Sequence, residues 1–424
     1  MKIREPKYIR ANPILICLVI LALPCVFLSA QSLGDVNSDG SVNIVDALLT
    51  AQFYVGLNPA GFNQGSADVN CSGSIDIVDA LLLAQYYVAL INTFPCGATQ
   101  APTVAPTGAP TAAPTLPPTD AFIKGADVGW LQQMESQGIK FYDDAGVQKD
   151  CLQILKEHGI NAIRLRTWVN PSGGWCNKDN TIIMAVRVKS MGFKFMLDFH
   201  YADSWADPGK QPKPAAWASL SFTDLLQKVY DYTYDVMSGL AAQGVYPEWV
   251  QVGNETNDGM LWEDGRASTS MSNFTQLVNR GYDAIKAVSP SSQVIIHISN
   301  GYDNSLFRWI FDGLKSYGGK YDIIGMSLYP TSSNWSTYDS QCLSNMNDMK
   351  SRYGKPSMIC ELGMDYTQAA ACYSFIIDLM STVKSAGGYG VFYWEPECYN
   401  WQGYTLGAWN TNGRPTEAMD AFLQ

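Results

Sequence analysis

Two spacings alternate along most of this chain. From Phe122 onward, short apolar runs of strand length are separated by longer stretches whose apolar residues recur every three or four positions, as in helices buried along one side. The strand-like runs are 123–128, 162–169, 193–201, 249–255, 293–300, 321–330, 356–362 and 390–396. The helical stretches between them are 146–158, 181–191, 222–243, 272–288, 304–317, 339–353 and 368–386. Strand–helix alternation implies an α/β domain with a parallel sheet covered on both faces. Eight units within residues 121–424 fit a (β/α)8 TIM barrel. A doubly wound sheet usually has fewer strands and would carry a glycine-rich phosphate turn, which is absent here.

Before the barrel the pattern changes to a repeat. Residues 35–49 match 68–82 at a spacing of 33, and each copy has oxygen-bearing side chains around a central glycine, followed by an apolar helical stretch. The first set is Asp35, Asn37, Asp39, Ser41, Asn43 and Asp46; the second is Asp68, Asn70, Ser72, Ser74, Asp76 and Asp79. Oxygens at positions 1, 3, 5, 7, 9 and 12 with glycine at 6 form an EF-hand-type Ca2+ loop, because a hard cation takes hard oxygen ligands and the glycine allows the sharp turn. Only four residues, 31–34, precede Asp35 once a leader is removed, so each loop keeps only its exiting helix, expected over 45–56 and 78–91. The domain plan is therefore a signal peptide over 1–30, a small all-α module with paired calcium loops over 31–96, a linker over 97–120, and the (β/α)8 domain over 121–424. The linker repeats Pro-Thr, a composition that buries no core and stays extended.

The N-terminus adds a location. Lys2, Arg4, Lys7 and Arg10 precede an apolar run from Pro13 to Ala30, the order of a secretory signal cleaved after Ala30; an uncleaved anchor is the alternative. Cleavage makes the protein extracellular and leaves eight cysteines. Cys71 and Cys96 precede the linker and are the expected disulfide. The other six permit 15 pairings, and Cys360, inside a strand, also reads as a buried thiol. The net charge of −11 with 28 Lys+Arg gives no basic field, which argues against nucleic acid as a partner.

Polar chemistry gathers at one end of the strands. The fourth strand ends in Asn254 and Glu255 and the seventh in Glu361, while Arg164, Arg166, Trp168, Asp198, His200, His297, Ser327, Tyr329, Trp394 and Glu395 stand at or near the ends of others. A barrel enzyme keeps its site at this C-terminal mouth. Two carboxylates on different strand ends suit glycoside hydrolysis, in which one protonates the leaving oxygen and the other attacks the anomeric carbon. Either alone also reads as a cap or an ion-pair partner. Trp205, Trp262, Trp335 and Trp401 in adjoining loops offer faces to sugar rings, with burial in the core as the alternative for each.

These residues carry two resemblances. Asp127 in Gly-Ala-Asp-Val, Arg164-Leu-Arg166-Thr-Trp168-Val-Asn170-Pro171, the segment from Asp198 to Gln211, Gln251-Val-Gly-Asn254-Glu255 with Leu261-Trp262, and Asp322 through Tyr329-Pro330 resemble the endo-β-1,4-galactanases of glycoside hydrolase family 53, across about 122–396. That resemblance implies a clan A retaining barrel acting on the β-1,4-galactan or arabinogalactan side chains of pectin. Glu255 would be the acid/base and Glu361 the nucleophile. Asn254 would contact the 2-hydroxyl, Tyr329 would orient Glu361, Arg166 and Trp394 would line the cleaved subsite, and no cofactor is needed for catalysis. His200, Trp205, Trp262 and His297 complete the expected substrate-binding set, and Arg166 is the cation expected to keep Glu361 ionised. The region between the seventh strand and the C-terminus is compact, so the long loop that carries calcium and extends the cleft in some relatives is expected to be reduced here. The paired calcium loops resemble a dockerin, implying a cohesin-like partner on a scaffold or cell surface, although the positions commonly used for recognition are here Ile44-Val45 and Ile77-Val78. Two other readings stand beside this one: another clan A endo-glycanase, such as a mannanase or cellulase, and a non-catalytic carbohydrate-binding protein.

Overall fold

A computed structural model of the chain describes residues 33–87, 91, 93–97 and 122–424. The expected signal segment and all but the first residue of the expected linker lie outside these residues. The chain divides into two compact units between Pro110 and Thr111.

In the first unit each oxygen-rich loop leads directly into a helix, α1 (Ile44–Tyr54) and α2 (Ile77–Tyr87). The loop chemistry starts the helices. Asn43 Oδ1 accepts the Val45 amide at 2.7 Å and Asp46 Oδ2 accepts the Asn43 amide at 2.8 Å, a reciprocal cap that satisfies free N–H groups of the first turn. Asp76 and Asp79 repeat the arrangement at α2. Asp46 and Asp79 also reach back to the Val36 and Val69 amides, both at 2.9 Å, tying each loop's end to its beginning. Val36, Ala47, Ala67, Val69, Leu83 and Phe94 form a small core, and the expected Cys71–Cys96 disulfide closes the unit.

The second unit is a closed barrel of eight parallel strands. In chain order they are β1 (Ile123–Asp127), β2 (Ala162–Thr167), β3 (Lys194–Phe199), β4 (Trp249–Val252), β5 (Gln293–Ile298), β6 (Ile323–Leu328), β7 (Ser357–Leu362) and β8 (Gly390–Trp394), with β8 closing on β1. Every expected strand is present; all but the seventh are trimmed at the polar end where the chain leaves the ladder, whereas the seventh keeps Leu362 and loses only Pro356 at its start. Two helical expectations shift. Residues 141–149 form a short antiparallel hairpin, so the expected 146–158 helix is only Cys151–Glu157, starting at the Asp150 cap. The helix expected over 339–353 begins a turn early, at Trp335, which packs against Phe375. Among the described residues no helix is long and apolar enough to cross a membrane.

Ile123, Ala162, Met196, Trp249, Ile295, Ile323, Met358, Cys360 and Phe392, with at least one residue from every strand, form an apolar plug. Further along the same strands, toward their C-terminal ends, stand polar residues: Arg164 and Arg166 after Ala162, Asp198 after Met196, Gln251 after Trp249, His297 after Ile295 and Ser327 after Ile323, each at even spacing. On β7 alternation alone would turn Glu361 away, because Met358 and Cys360 already face the interior. The ladder breaks there: Met326 pairs with Ile359 but Ser327 with Glu361, and Val391 pairs with Ile359 but Tyr393 with Leu362. The extra residue is a bulge, and it re-aims Glu361 toward the mouth. The six cysteines of this unit are free and buried.

Candidate active site

The C-terminal ends of the strands surround a cleft of about 230 Å3. Backbone strain gathers here: Tyr201, Glu255, Asn300 and Glu395, just past β3, β4, β5 and β8, have φ of 50°, 43°, 54° and 47°. This left-handed region costs non-glycine residues energy and is held where a side chain must be aimed.

Glu255 and Glu361 both line the cleft, yet their surroundings differ. Glu361 receives a hydrogen bond from the Tyr329 hydroxyl at 2.8 Å and an ion pair from Arg164 at 2.9 Å. The cation is thus Arg164, not the expected Arg166. Arg164 is fully buried and also donates to Asp127, Asp198, Gln251 and Asn254 at 2.6 to 3.0 Å. Among the described residues no cation contacts Glu255; its oxygen accepts the Ser327 hydroxyl at 2.7 Å. Burial raises both carboxyls above their ordinary range, Glu361 to about 8 and Glu255 to about 7, the latter with the Ser327 bond and then Arg164 opposing. At Glu361 burial is opposed first by Arg164, while the nearby Glu255 charge pushes the same way as burial. The two carboxyls titrate as a coupled pair near neutrality, and the Arg164 ion pair and the Tyr329 hydroxyl, both contacts that Glu255 lacks, favour the negative charge on Glu361.

Of the expected binding residues, His200, Trp205, Asn254, Tyr329 and Trp394 line the cleft. His200 is oriented by the Ala206 amide at Nδ1 and by Asp198 at Nε2. Burial works against the Asp198 charge, but Arg164 and His200 outweigh it and hold that carboxyl below its ordinary range. Asn254 is clamped between Arg164 and the Ala206 carbonyl.

Three expected residues lie elsewhere. His297 is fully buried behind Glu255, and burial, reinforced by Arg164, holds it neutral. Arg164 Nε fixes the Gln251 carbonyl oxygen, so the Gln251 amide donates to His297 Nδ1 at 2.8 Å. The imidazole proton therefore sits on Nε2, 2.8 Å from Ser327 Oγ. Trp262 binds the Asp258 carbonyl and is covered by Arg266, 4.2 Å from the ring centroid. Arg166 is buried behind the cleft wall, paired with Glu395. Among the loop tryptophans without an assigned role, Trp401 is buried and Trp335 is helical. The sequence reading missed Ala206, Asp207, Tyr404 and Leu406 as lining residues. Asp207 stood inside the quoted 198–211 segment, whereas Tyr404 and Leu406 come from the loop after β8, which has no periodic signal.

A (β/α)8 barrel with two buried carboxyls, carried on different strand ends, lining one aromatic cleft is the equipment of a glycoside hydrolase. Comparison with known proteins makes this particular. Residues 123–422 match glycosyl hydrolase family 53, and the chain belongs to that family. Residues 33–87 match the dockerin type I domain. Among similar proteins, the "Probable arabinogalactan endo-beta-1,4-galactanase A" of Neosartorya fischeri is 32% identical over 298 residues, covering 64% of this chain and 83% of the relative. The "Endo-beta-1,4-galactanase" of Bacillus subtilis is 32% identical over 311 residues, 65% of this chain and 70% of the relative. The solved structure titled "Ignisphaera aggregans GH53 catalytic domain" aligns with TM-score 0.65 and 31% identity over 74% of this chain and 98% of that one.

Proposed function

We propose that this glycoside hydrolase is a secreted, retaining endo-β-1,4-galactanase acting on galactan and arabinogalactan side chains of pectin, carrying a calcium-loaded module that docks it to a cohesin-like scaffold or cell-surface protein. One observation carries the catalytic part: two buried carboxyls face one cleft, and only one of them has a cation and a tyrosine hydroxyl in contact. Glu361 attacks the anomeric carbon as the Glu255 proton passes to the leaving oxygen, giving a glycosyl ester. Glu255, now ionised, takes a proton from water, whose oxygen displaces Glu361. Asn254 contacts the 2-hydroxyl, and His200, Trp205 and Trp394 form the polar edge and apolar wall of the sugar site. The relatives' printed activities support galactan as substrate. The test is reducing-sugar release from a panel of soluble polysaccharides. Galactan should be cleaved, and cleavage of mannan or cellulose in its place would overturn the substrate reading.

For the module, the donor set fits calcium. Residues 33–97 contain six aspartates and neither lysine nor arginine, so no cation within this segment neutralises these carboxylates. Asp35 and Asp68 each fold the loop by accepting amides at its glycine turn, and Asp46 and Asp79 are buried at its end. The residues that would hold the ion are Asp35, Asn37, Asp39, Ser41, Asn43 and Asp46 in one loop and Asp68, Asn70, Ser72, Ser74, Asp76 and Asp79 in the other; the ion would supply charge neutralisation and loop closure. On α1, Ile44, Val45 and Leu48 are 44–56% exposed, an apolar strip suited to a protein partner. Secretion follows from the basic-then-apolar N-terminus.

A further inference from the structure

Behind the cleft lies a second buried ion pair that the chemistry above does not use. Arg166, 1% exposed, pairs through Nη1 with Glu395, and its guanidinium lies 5.2 Å from the Trp130 ring, 5.2 Å from Trp168 and 4.5 Å from Trp205. A planar cation surrounded by indole faces is attracted to each of them. Glu395 accepts the Trp130 amide on both oxygens at 3.1 Å, and its own amide donates to the Asp127 carbonyl at 2.9 Å, which fixes its left-handed backbone. Trp130 in turn meets Trp205 and Trp394 edge to face at 5.4 and 5.2 Å, and Trp205 meets Trp394 at 5.8 Å. Trp205 and Trp394 are the two tryptophans that line the cleft.

Two further features show a place built for this pair. A Cβ on Gly129 would lie 2.2 Å from Arg166 Nη1, so only glycine leaves the guanidinium its position. Glu397 is fully buried, and its carboxyl lies within 4.8 Å of a Glu395 oxygen and the Cys398 sulfur. Two buried carboxyls so close do not both ionise, and Arg166 leaves the charge on Glu395 and the proton on Glu397. The pair is thus neutral overall and sealed.

We infer that Arg166 and Glu395 are positioning residues, holding Trp130 and Trp205, and through them Trp394, in the orthogonal arrangement that forms the sugar-facing wall of the cleft. This rests on the sugar-cleft reading, but it can be tested apart from it. In the full chain, Arg166→Met and Glu395→Gln should remain cooperatively folded while losing much of the near-ultraviolet circular dichroism that closely packed indoles generate. KM for soluble galactan should rise about tenfold with kcat changed less than about threefold, and Arg166→Lys, which keeps the charge but not the plane, should fall between. Should Arg166→Met fail to fold, Glu395→Gln decides, because glutamine keeps the shape and an acceptor for the Trp130 amide. Folded variants with wild-type near-ultraviolet spectra and wild-type KM would overturn the inference, as would a fall in kcat at unchanged KM. If the wild-type protein leaves galactan intact, the substrate reading fails, while the spectra still test the wall.

Discussion

Ser327→Ala removes one oxygen from the network around Glu255 and should move one limb of the pH profile. Because neutral His297 donates from Nε2 to Ser327 Oγ, the serine's own proton is free to point at Glu255 Oε1, 2.7 Å away. A bond donated to a carboxylate favours its ionised form, so losing it raises the Glu255 pKa. Hydrogen bonds to charged groups contribute about 1.5–3 kcal/mol, and at about 1.36 kcal/mol per pKa unit the shift is about one to two units. In the wild type, activity should fall as pH rises through the range of about 7 to 8 to which burial raises the coupled Glu255 and Glu361 pair, because the acid then loses its proton. In Ser327→Ala the fall should occur about one to two units higher, while the acid limb, set by ionisation of Glu361, stays nearly in place. The orphaned His297 N–H should also lower stability by about 1–3 kcal/mol, measurable by denaturant unfolding. The assay is kcat/KM on soluble galactan between pH 4 and 10. A basic limb that stays put or moves down would show that Glu255 is not the acid, or that Ser327 does not donate to it.

Other expectations follow from the same geometry. Glu361→Ala should abolish hydrolysis, with azide or formate restoring it to give inverted product; Glu255→Ala should spare substrates with good leaving groups and give a β-glycosyl azide with azide. Exchanged rescue patterns, or an inverted primary product from the wild type by NMR, would refute the retaining assignment, which calls for carboxyls about 5 to 5.5 Å apart. Chelation of calcium in the full chain should abolish the calorimetric transition of the N-terminal unit and leave that of the barrel, with re-added calcium reversing the loss; an unchanged trace would remove the calcium loops from the account. Cys71→Ser, opening a cross-link between residues 25 apart in sequence, should destabilise the N-terminal unit by about 3 kcal/mol in denaturant titration without affecting hydrolysis.

The sequence by itself determined the architecture, because its information is periodic and local. Apolar runs of strand length alternating with helical spacing yield eight parallel strands. Oxygen-bearing side chains around a glycine, repeated 33 residues apart, yield two loop-helix units, each helix capped by its own loop. Both glutamates were legible as well, since each is a lone charge at or near the end of an apolar run. Orientation around the barrel was not legible. Arg164 and Arg166 are two residues apart on one strand and identical in type, yet one reaches Glu361 and the other turns behind the tryptophans to Glu395, a partner 229 positions away. His297 reads as a ligand at a strand end, but its depth puts Ser327 between it and the cleft. Glu361 itself faces the mouth only because a bulge on β7 breaks the two-residue alternation. Closure of the barrel decides these matters: it sets which strand ends face one another, how deep each side chain sits and where the ladder slips, and none of these has a signature within a single strand.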